Sequence, residues 1–431
     1  MEKFDVIVVG AGPAGVTASA RMAREGLRVL LLERAQIPGQ KNMFGGMMPY
    51  CPALEEVVPR FYEVAPIERV VTRRTLSFLS EADLTMICFE SRSFEVPPQN
   101  GYTLFRPLFD RWYAREAERM GTKLITSSTV REPIIRGGSV RGVRLDGGKE
   151  LFAPCVLACD GILSFLSKKA GLYRKGVEAE DMALGVKVLM HLGEERIDER
   201  FNLVRGQGCT MEFVGCTEGV RGGGFIYTQS ETVSLGLVLH LESLKRSGKS
   251  PYRLLEGFLS NEYVRGLLRG GKILEYSAHL LPEGGIRMVP RLFTDGMLVA
   301  GDAACLCYSN GLTQEGMNLA VTSGLLAAET LIEAHKRGDF SSKSLRSYED
   351  RLKESFVLKD MKTFEAMVGL MHNDRLFGLY PKIVSSVMRE IFRSDGRQKG
   401  RPGRILLKEL LSHLSLKEGI SDLIQIGRSM L

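Results

Sequence analysis

Residues 4–33, FDVIVVGAGPAGVTASARMAREGLRVLLLE, decide the architecture of the chain. Phe4 to Val9 is an apolar run of the kind that forms a buried parallel strand, and Gly10, Gly12 and Gly15 follow as G-x-G-x-x-G at the entrance to a helical segment. Gly10 permits the tight turn, Gly12 lets a pyrophosphate approach the backbone, and Gly15 lets the helix lie close to the strand. Pro13 and Ala14 stand at the helix start, whose free N–H groups suit phosphate oxygens. Ala18, Met22 and Ala23 supply the sheet-facing side, and Gly26 ends the helix. Val29 to Leu32 form a second strand closed by Glu33, whose carboxylate can accept hydrogen bonds from an adenosine ribose; Arg34 follows it. A glycine triplet alone is often an ordinary turn, but strand, helix, second strand and acid together specify a nucleotide-binding β-α-β unit.

The 431 residues have room for about two or three domains with substantial cores. Hydrophobic residues make up 44% and charged residues 25%, the balance of a soluble globular chain. No apolar run reaches the ~20 residues of a spanning helix. The first apolar stretch is committed to the nucleotide site and lacks a cleavage region, so no signal peptide is expected. The expected location is the cytoplasm, or the cytoplasmic face of a membrane as a peripheral protein. The eight cysteines lie between Cys51 and Cys307 without zinc or iron–sulfur spacing, and reduced thiols and no bound metal are expected. The net charge of +7 is concentrated in RSDGRQKGRPGRILLK, residues 393–408. That stretch suits anionic lipid or an acidic partner, or is a solvated linker; no nucleic-acid partner is expected.

The first motif serves NAD and FAD alike, and two later segments decide between them. PCVLACDG, residues 154–161, is a strand running into Asp160 and Gly161. GMLVAGDA, residues 296–303, is another, running into Gly301 and Asp302. Asp302 is placed to meet ribityl hydroxyls. A helix beginning near Gly311, Leu312 and Thr313 would aim N–H groups at a pyrimidine carbonyl, where its dipole favours negative charge on a reduced flavin. An NAD fold needs no such second element, so the cofactor is read as FAD.

These three fingerprints in this order resemble the flavoprotein hydroxylase superfamily of FAD enzymes. The resemblance assigns Arg106, in LFRPLFDRW, to FAD contact, with a surface salt-bridging arginine as the alternative, and gives Val130 the backbone position at the adenine. The helix Arg106 to Met120 is expected to bury Leu108, Trp112 and Ala117. Three more segments, QKNMFGG (Gln40–Gly46), GGGFIYT (Gly222–Thr228) and EYSAHLLPEGG (Glu275–Gly285), look like electron-transfer-flavoprotein:quinone oxidoreductases of the FixC or EtfC branch.

That resemblance runs from about residue 3 to about residue 395 and weakly beyond. It implies one FAD, electrons arriving from FixA/FixB-like electron-transfer-flavoprotein subunits, and delivery to menaquinone or ubiquinone. Longer relatives carry a C-terminal four-cysteine cluster, whereas this chain has no cysteine after Cys307. The implied solution is a separate FixX/EtfX-like ferredoxin subunit carrying the iron–sulfur cluster, in a complex that bifurcates NADH electrons. Lys41, Asn42, Gly45 and Gly46 are placed beside the flavin ring, with a glycine turn as the alternative. Gly222, Gly223, Gly224, Phe225, Tyr227, Gly284 and Gly285 are assigned to the quinone pocket, with the glycines read as three flexible residues before a strand or as a hairpin turn. Tyr227, His279 and Glu283 are the candidate quinone proton donors, although a histidine in a strand is commonly structural.

The expected fold is α/β: a Rossmann-type FAD-binding domain (1–75, 100–165 and 275–340), an inserted mixed-sheet quinone or substrate domain (76–99 and 166–274), and a C-terminal helical region (341–431). MALGVKVLMHL is read as an alternating, half-buried strand, and Ser341 to Ser344 as a helix cap. FGLYPKIVSSVMREIF and the helix of residues 404–426, with Leu407, Leu410, Leu411 and Leu414 on one face, suit either a membrane interface or partner subunits. Three other readings remain: a geranylgeranyl-type isoprenoid reductase, an aromatic monooxygenase, and a non-catalytic flavin-bearing assembly subunit.

Overall fold

The computed structural model describes residues 3–40, 45–173 and 178–430. Val6–Val9 (β1) passes through the helix Pro13–Arg24 into Val29–Leu32 (β2). Gly45–Pro49 (β3), Ile67–Leu79 (β4), Leu84–Glu90 (β5) and Gly101–Phe105 (β6) follow, then the helix Arg106–Arg119 and Lys123–Ile125 (β7). A meander of Val130–Arg136 (β8), Ser139–Leu145 (β9) and Glu150–Phe152 (β10) precedes Cys155–Ala158 (β11). Met182–His191 (β12), Gln207–Val214 (β13), Gly222–Thr228 (β14), Thr232–His240 (β15) and Lys272–Pro282 (β16) come next. Phe293–Thr294 (β17), Met297–Val299 (β18) and the hairpin Tyr308–Ser309 (β19) with Gln314–Glu315 (β20) lead into the helix Met317–Arg337.

Among the described residues, six strands form one sheet in the order β17-β18-β11-β1-β2-β7, parallel except for the β17–β18 edge. Its inner strands β1, β2 and β11 are buried at every residue, which accounts for their unbroken apolar runs. The Pro13–Arg24 helix is sandwiched between this sheet and Met317–Arg337. The two helices meet backbone to backbone, since a Cβ on Gly324 would fall 2.2 Å from the Ala14 carbonyl oxygen.

A second, nine-stranded sheet has the order β16-β12-β15-β14-β13-β4-β6-β3, with β5 on β4. One face, including Val188, Met211, Phe213, Ile226 and Leu235, packs with Leu254, Phe258 and Val264 of the helices Pro251–Ser260 and Glu262–Leu268. The other faces the dinucleotide-binding part. The half-buried alternation expected of MALGVKVLMHL is absent: β12 lies between β15 and β16, and nearly all of it is buried. The expected boundary at residue 75 falls inside β4, and β3, β4, β6 and β16 all belong to the large sheet.

In the Arg106–Arg119 helix the buried stripe is Phe109, Asp110, Tyr113, Ala114 and Ala117. Leu108 is 49% exposed, because the i, i+4 ladder is set by Phe109 and Tyr113 rather than by its neighbour. Ser341 does cap the C-terminal helices, accepting from the Ser344 N–H. The expected 404–426 helix is two, Pro402–His413 and Leu416–Met430. They break at a reciprocal capping box: Glu418 N–H donates to Ser415 Oγ (3.3 Å), and Ser415 N–H donates to Glu418 Oε2 (3.0 Å). Leu414 is buried, Leu410 partly so, and Leu407 and Leu411 are exposed. The last helix is held by Asp422, which accepts from Arg375 Nε (2.7 Å), Tyr380 Oη (2.6 Å) and Asn373 Nδ2 (2.9 Å).

The close helix crossing yields a prediction. Gly324→Ala is expected to lower unfolding free energy by about 1–3 kcal/mol through overpacking, as read by denaturant titration. Gly257→Ala, in a helix where the nearest atom to a new Cβ is the end of the Glu218 side chain at 3.5 Å, is expected to be neutral or stabilising.

Candidate FAD and acceptor site

The turn after β1 is closed by backbone. Gly10 N–H donates to Leu32 O (2.8 Å), and at φ +104 a Cβ there would lie 2.2 Å from Cys159 O. A Cβ on Gly15 would lie 2.0 Å from Gly10 O, so the helix must begin directly against the strand end. Gly12 is the N-cap; no side chain caps the helix, no acid stands in its first turn, and Pro13, Ala14 and Gly15 are buried. A buried helix start with uncapped N–H groups fits an anionic ligand such as a diphosphate, and the open space over Gly12 admits one. Glu33 accepts from Ala11 N–H (2.9 Å) and Ala35 N–H (2.8 Å), tying the glycine turn to the end of β2. Each of its oxygens retains a lone pair for a ribose hydroxyl. Ser128 N–H donates to Glu33 O (2.8 Å) and Ser127 N–H to Ala35 O (2.9 Å), which brings half-buried Val130 to the same end of the sheet. Arg34 is exposed beside it.

Asp160 follows β11 and is hydrogen-bonded within its own loop. Its oxygens accept from Ser164 Oγ and Leu166 N–H, both at 3.1 Å, and so shape the loop through Gly161 into the helix Phe165–Lys169. Lys41 and Asn42 lie outside the described residues. Gly45 and Gly46 begin β3, which comes close to β14 and β15, and a Cβ on Gly46 would meet nothing within 4 Å.

At Gly301 (φ +65) a Cβ would sit 2.9 Å from the Ala14 Cβ, so the Gly-Asp turn packs on the start of the first helix. Burial raises the Asp302 carboxyl above its usual range, and the Arg106 charge pulls it the other way. Arg106 grips Asp110 through Nε and Nη2, both at 2.9 Å, with the Asp110 side chain 2% exposed. This is an ion pair inside the site rather than a surface bridge.

Gly311, Leu312 and Thr313 do not start a helix. They form the turn of the β19–β20 hairpin, where Asn310 Oδ1 accepts from Leu312 N–H (3.0 Å) and Thr313 N–H (2.8 Å). These local bonds outcompete helix initiation. The helix begins at Met317 with Gly316 as its N-cap, again without a side-chain cap.

The quinone-pocket glycines are explained by packing. Gly222, Gly223 and Gly224 are within β14 rather than flexible residues ahead of it. Cβ atoms there would meet Val238 O at 2.0 Å, Phe213 O at 2.7 Å and the Phe258 ring at 2.9 Å. Gly284 is buried against Asp181 and Met288, and Gly285 against Val368. Phe225 and Tyr227 stack at 4.9 Å.

Tyr227 and His279 cannot serve one oxygen together. His279 pairs with Gly185, and Gly185 with Val238, which pairs with Gly223, four residues along β14 from Tyr227. Three strand spacings and four residues separate them by about 19 Å. His279 opens to solvent on the edge strand. Partial desolvation and the charges of Lys187, Arg106 and Arg34 bring its imidazole down to about 4, so it is neutral at physiological pH. Burial pushes the Glu283 carboxyl up to about 7, with Arg221 opposing. Burial also raises the Tyr227 phenol.

Two groups were missed in the sequence, Lys187 and Glu212. Both stand on the large-sheet face opposite the helix-covered one, and both are single charges inside apolar strands, which was the available signal. Burial, then the Arg106 charge, lowers Lys187 to about 7. Burial raises Glu212 to about 8, against the Arg74 charge and a Thr210 hydrogen bond.

A diphosphate cradle at one helix start, a Gly-Asp turn beside it and a polar sheet face opposite define the chain as an FAD-dependent oxidoreductase. Residues 5–183 match the FAD dependent oxidoreductase family, and residues 367–431 match the ETF-QO/FixC family C-terminal domain. The chain is 40% identical over 430 residues to a probable electron transfer flavoprotein-quinone oxidoreductase, YdiS, of Escherichia coli K12, covering 99% of this chain and 98% of that one. It is likewise 40% identical to Protein FixC of the same organism, covering 98% and 97%. It therefore belongs to the ETF-QO/FixC family. The fold is shared with a geranylgeranyl bacteriochlorophyll reductase-like protein of Thermoplasma acidophilum (TM-score 0.74, 21% identity, 95% and 96% covered). It is also shared with the flavin-dependent brominase Bmp2 (TM-score 0.64, 15% identity, 96% and 100% covered).

Lys187 gives a pH signature. Its value falls from 10.5 to about 7 on folding, so between those values the unfolded chain holds more protons and stability rises with pH. The penalty of burying it is full below pH 7 and fades towards 10.5. Lys187→Met is therefore expected to raise the melting temperature more at pH 6 than at pH 9, by calorimetry.

Proposed function

We propose that the chain is the quinone-reducing subunit of a FixABCX/EtfABCX-type complex, taking NADH-derived electrons from FixA/FixB-like subunits and passing them to menaquinone or ubiquinone. The observation that carries this is the 40% identity, over nearly the full length, to FixC-type relatives. FAD, when bound, supplies the redox chemistry, accepting and releasing electrons singly or in pairs. The chain's own part is to hold and orient. The glycine turn and first-helix N–H groups would grip the diphosphate, Glu33 the ribose, and Asp302 the ribityl chain. The start of the Met317 helix would favour negative charge at the pyrimidine end.

A groove of about 350 Å³, lined by Pro49, Arg74, Phe89, Phe94, Asn100 and Glu315, leads to this region. Its apolar lining, Pro49, Phe89 and Phe94, suits an isoprenoid quinone. Asn318 Nδ2, at the start of the Met317 helix, donates to the lining Glu315 Oε2 (2.7 Å). No helix among the described residues is long and apolar enough to cross a membrane. The bilayer would instead be met by the exposed Leu407, Leu411, Leu416, Ile420 and Leu423 beside the cationic residues of 393–408, on the cytoplasmic face. With no cysteine after Cys307, the iron–sulfur centre is left to a FixX/EtfX-like ferredoxin subunit.

Co-purified with its partners, the chain is expected to show FAD bleaching on NADH addition and re-oxidation by a menaquinone analogue. A flavin that stays oxidised while the partner flavins bleach would sink the assignment. Saturation of a geranylgeranyl lipid in its place would install the reductase reading. The double variant Leu407→Glu/Leu411→Glu is expected to weaken flotation with phosphatidylglycerol vesicles at least ~10-fold, in line with the loss of two buried apolar side chains. Undiminished flotation would assign that face to partner subunits.

A further inference from the structure

One row of register partners crosses the large sheet: Leu76, Glu212, Phe225, Gly236, Lys187 and Ser277, on β4, β13, β14, β15, β12 and β16. Their side chains share the face opposite Met211, Phe213 and Leu235, which pack under the helices. In the adjacent row Arg74, Thr210 and Tyr227 are partners in turn. Arg74 and Tyr227 therefore stand diagonal to Glu212 on the same face, a separation that long side chains span. Gly236 leaves the row open, and the Phe225 ring leans over it, 3.1 Å from where its Cβ would be.

Arg74 lines the groove with Glu315 across from it, and among the described residues it forms no ion pair within 4 Å. Its Nε is buried with no acceptor, and its Nη2 reaches only Met47 Sδ at 3.8 Å. Glu212 is half-buried one row in from it, beside the Phe225–Tyr227 stack. Desolvation keeps its carboxyl protonated to about pH 8, so at neutral pH it offers an O–H rather than a charge. An O–H donor next to a guanidinium that holds no ion pair is what a carbonyl oxygen needs when it gains first negative charge and then a proton.

We propose that Glu212 protonates one oxygen of the acceptor quinone while Arg74 holds that oxygen as negative charge gathers on it; this rests on the quinone-reductase reading above. The quinone takes two electrons from the reduced flavin and two protons. The Glu212 O–H bond breaks, its electron pair stays on the carboxylate, and an O–H bond forms on the quinone. The second proton reaches the far oxygen from solvent, and solvent water reprotonates Glu212 through the groove. The groups facing Glu212 are Arg74 from β4, Thr210 from its own strand, Tyr227 from β14 and, further along the row, Lys187 from β12; Glu315 lies across the groove. Lys187 also titrates near neutrality, so Lys187→Met separates its step from that of Glu212.

The test mixes the FAD-loaded, dithionite-reduced chain with menadione or with ferricenium, an acceptor that takes no proton, and follows flavin re-oxidation by anaerobic stopped flow. Glu212→Gln is expected to lower the menadione-to-ferricenium rate ratio about 100-fold. The wild-type menadione rate should fall above about pH 8, a limb that Glu212→Gln lacks and Glu212→Asp restores. Infrared difference spectra give a readout independent of turnover: a protonated-carboxyl band lost as pH passes about 8, absent in Glu212→Gln. An unchanged ratio and an unchanged limb overturn the proposal and leave the quinone reading standing. A wild-type chain that reduces ferricenium but no quinone overturns the quinone reading itself. If Glu212→Gln fails to retain FAD, the wild-type and Glu212→Asp infrared titrations decide, and the absence of a carboxyl titrating near pH 8 overturns the proposal.

Discussion

Everything in the site depends on how closely backbone approaches the start of the first helix. Gly15 lies on the Gly10 carbonyl, Gly301 on the Ala14 side chain and Gly324 on the Ala14 carbonyl. One helix N-terminus is thus gripped by its own preceding turn, by the Gly-Asp turn after β18 and by the long C-terminal-side helix. A Cβ at these positions would fall 2.0, 2.9 and 2.2 Å from its neighbour, so side chains there would push the elements apart. The diphosphate cradle and the acid beside it then would not share one geometry. Segments almost 300 residues apart in the chain meet at this helix start because glycine alone allows so close a contact.

The large sheet solves a different problem. One face is an ordinary apolar core under helices, and the other carries Lys187, Glu212, Arg74 and Tyr227 toward the cleft. Burial moves lysine and carboxyl in opposite directions, each towards its neutral form. A face built this way holds a lysine and a carboxyl that burial drives towards their neutral forms beside the charged Arg74 guanidinium. Such a wall is stable enough to fold and still holds groups that titrate near neutrality.

Much of the first half of the site could be read along the chain. The G-x-G-x-x-G turn, the helix ended at Gly26 and the acid at Glu33 obey rules that act within thirty residues, and each appears where its spacing places it. The Gly-Asp turn at Gly301 and Asp302 was legible for the same reason. Gly311 misled, because an Asn310 side chain two atoms from the backbone diverts the chain into a hairpin before the helix can start. Asp160, a fingerprint residue, also accepts from Ser164 and Leu166 of its own loop, bonds that its spacing did not announce. The glycines of β14 looked like a flexible lead-in, since the strand and ring that press on them come from residues 213, 238 and 258.

The sequence by itself determined the nucleotide-binding unit, the flavin fingerprints in their order and the absence of cysteine after Cys307, because these are properties of local spacing and of composition. Only the tertiary structure decided which polar groups meet. Glu212 and Lys187 are lone charges in separate apolar strands, and nothing along the chain says that strand register puts them in one row with Arg74 diagonal to it. Likewise Tyr227 and His279, both plausible on the page, are set far apart by three intervening strand spacings. Register is a relation between strands, fixed by which faces are buried, and it is written in no one of them.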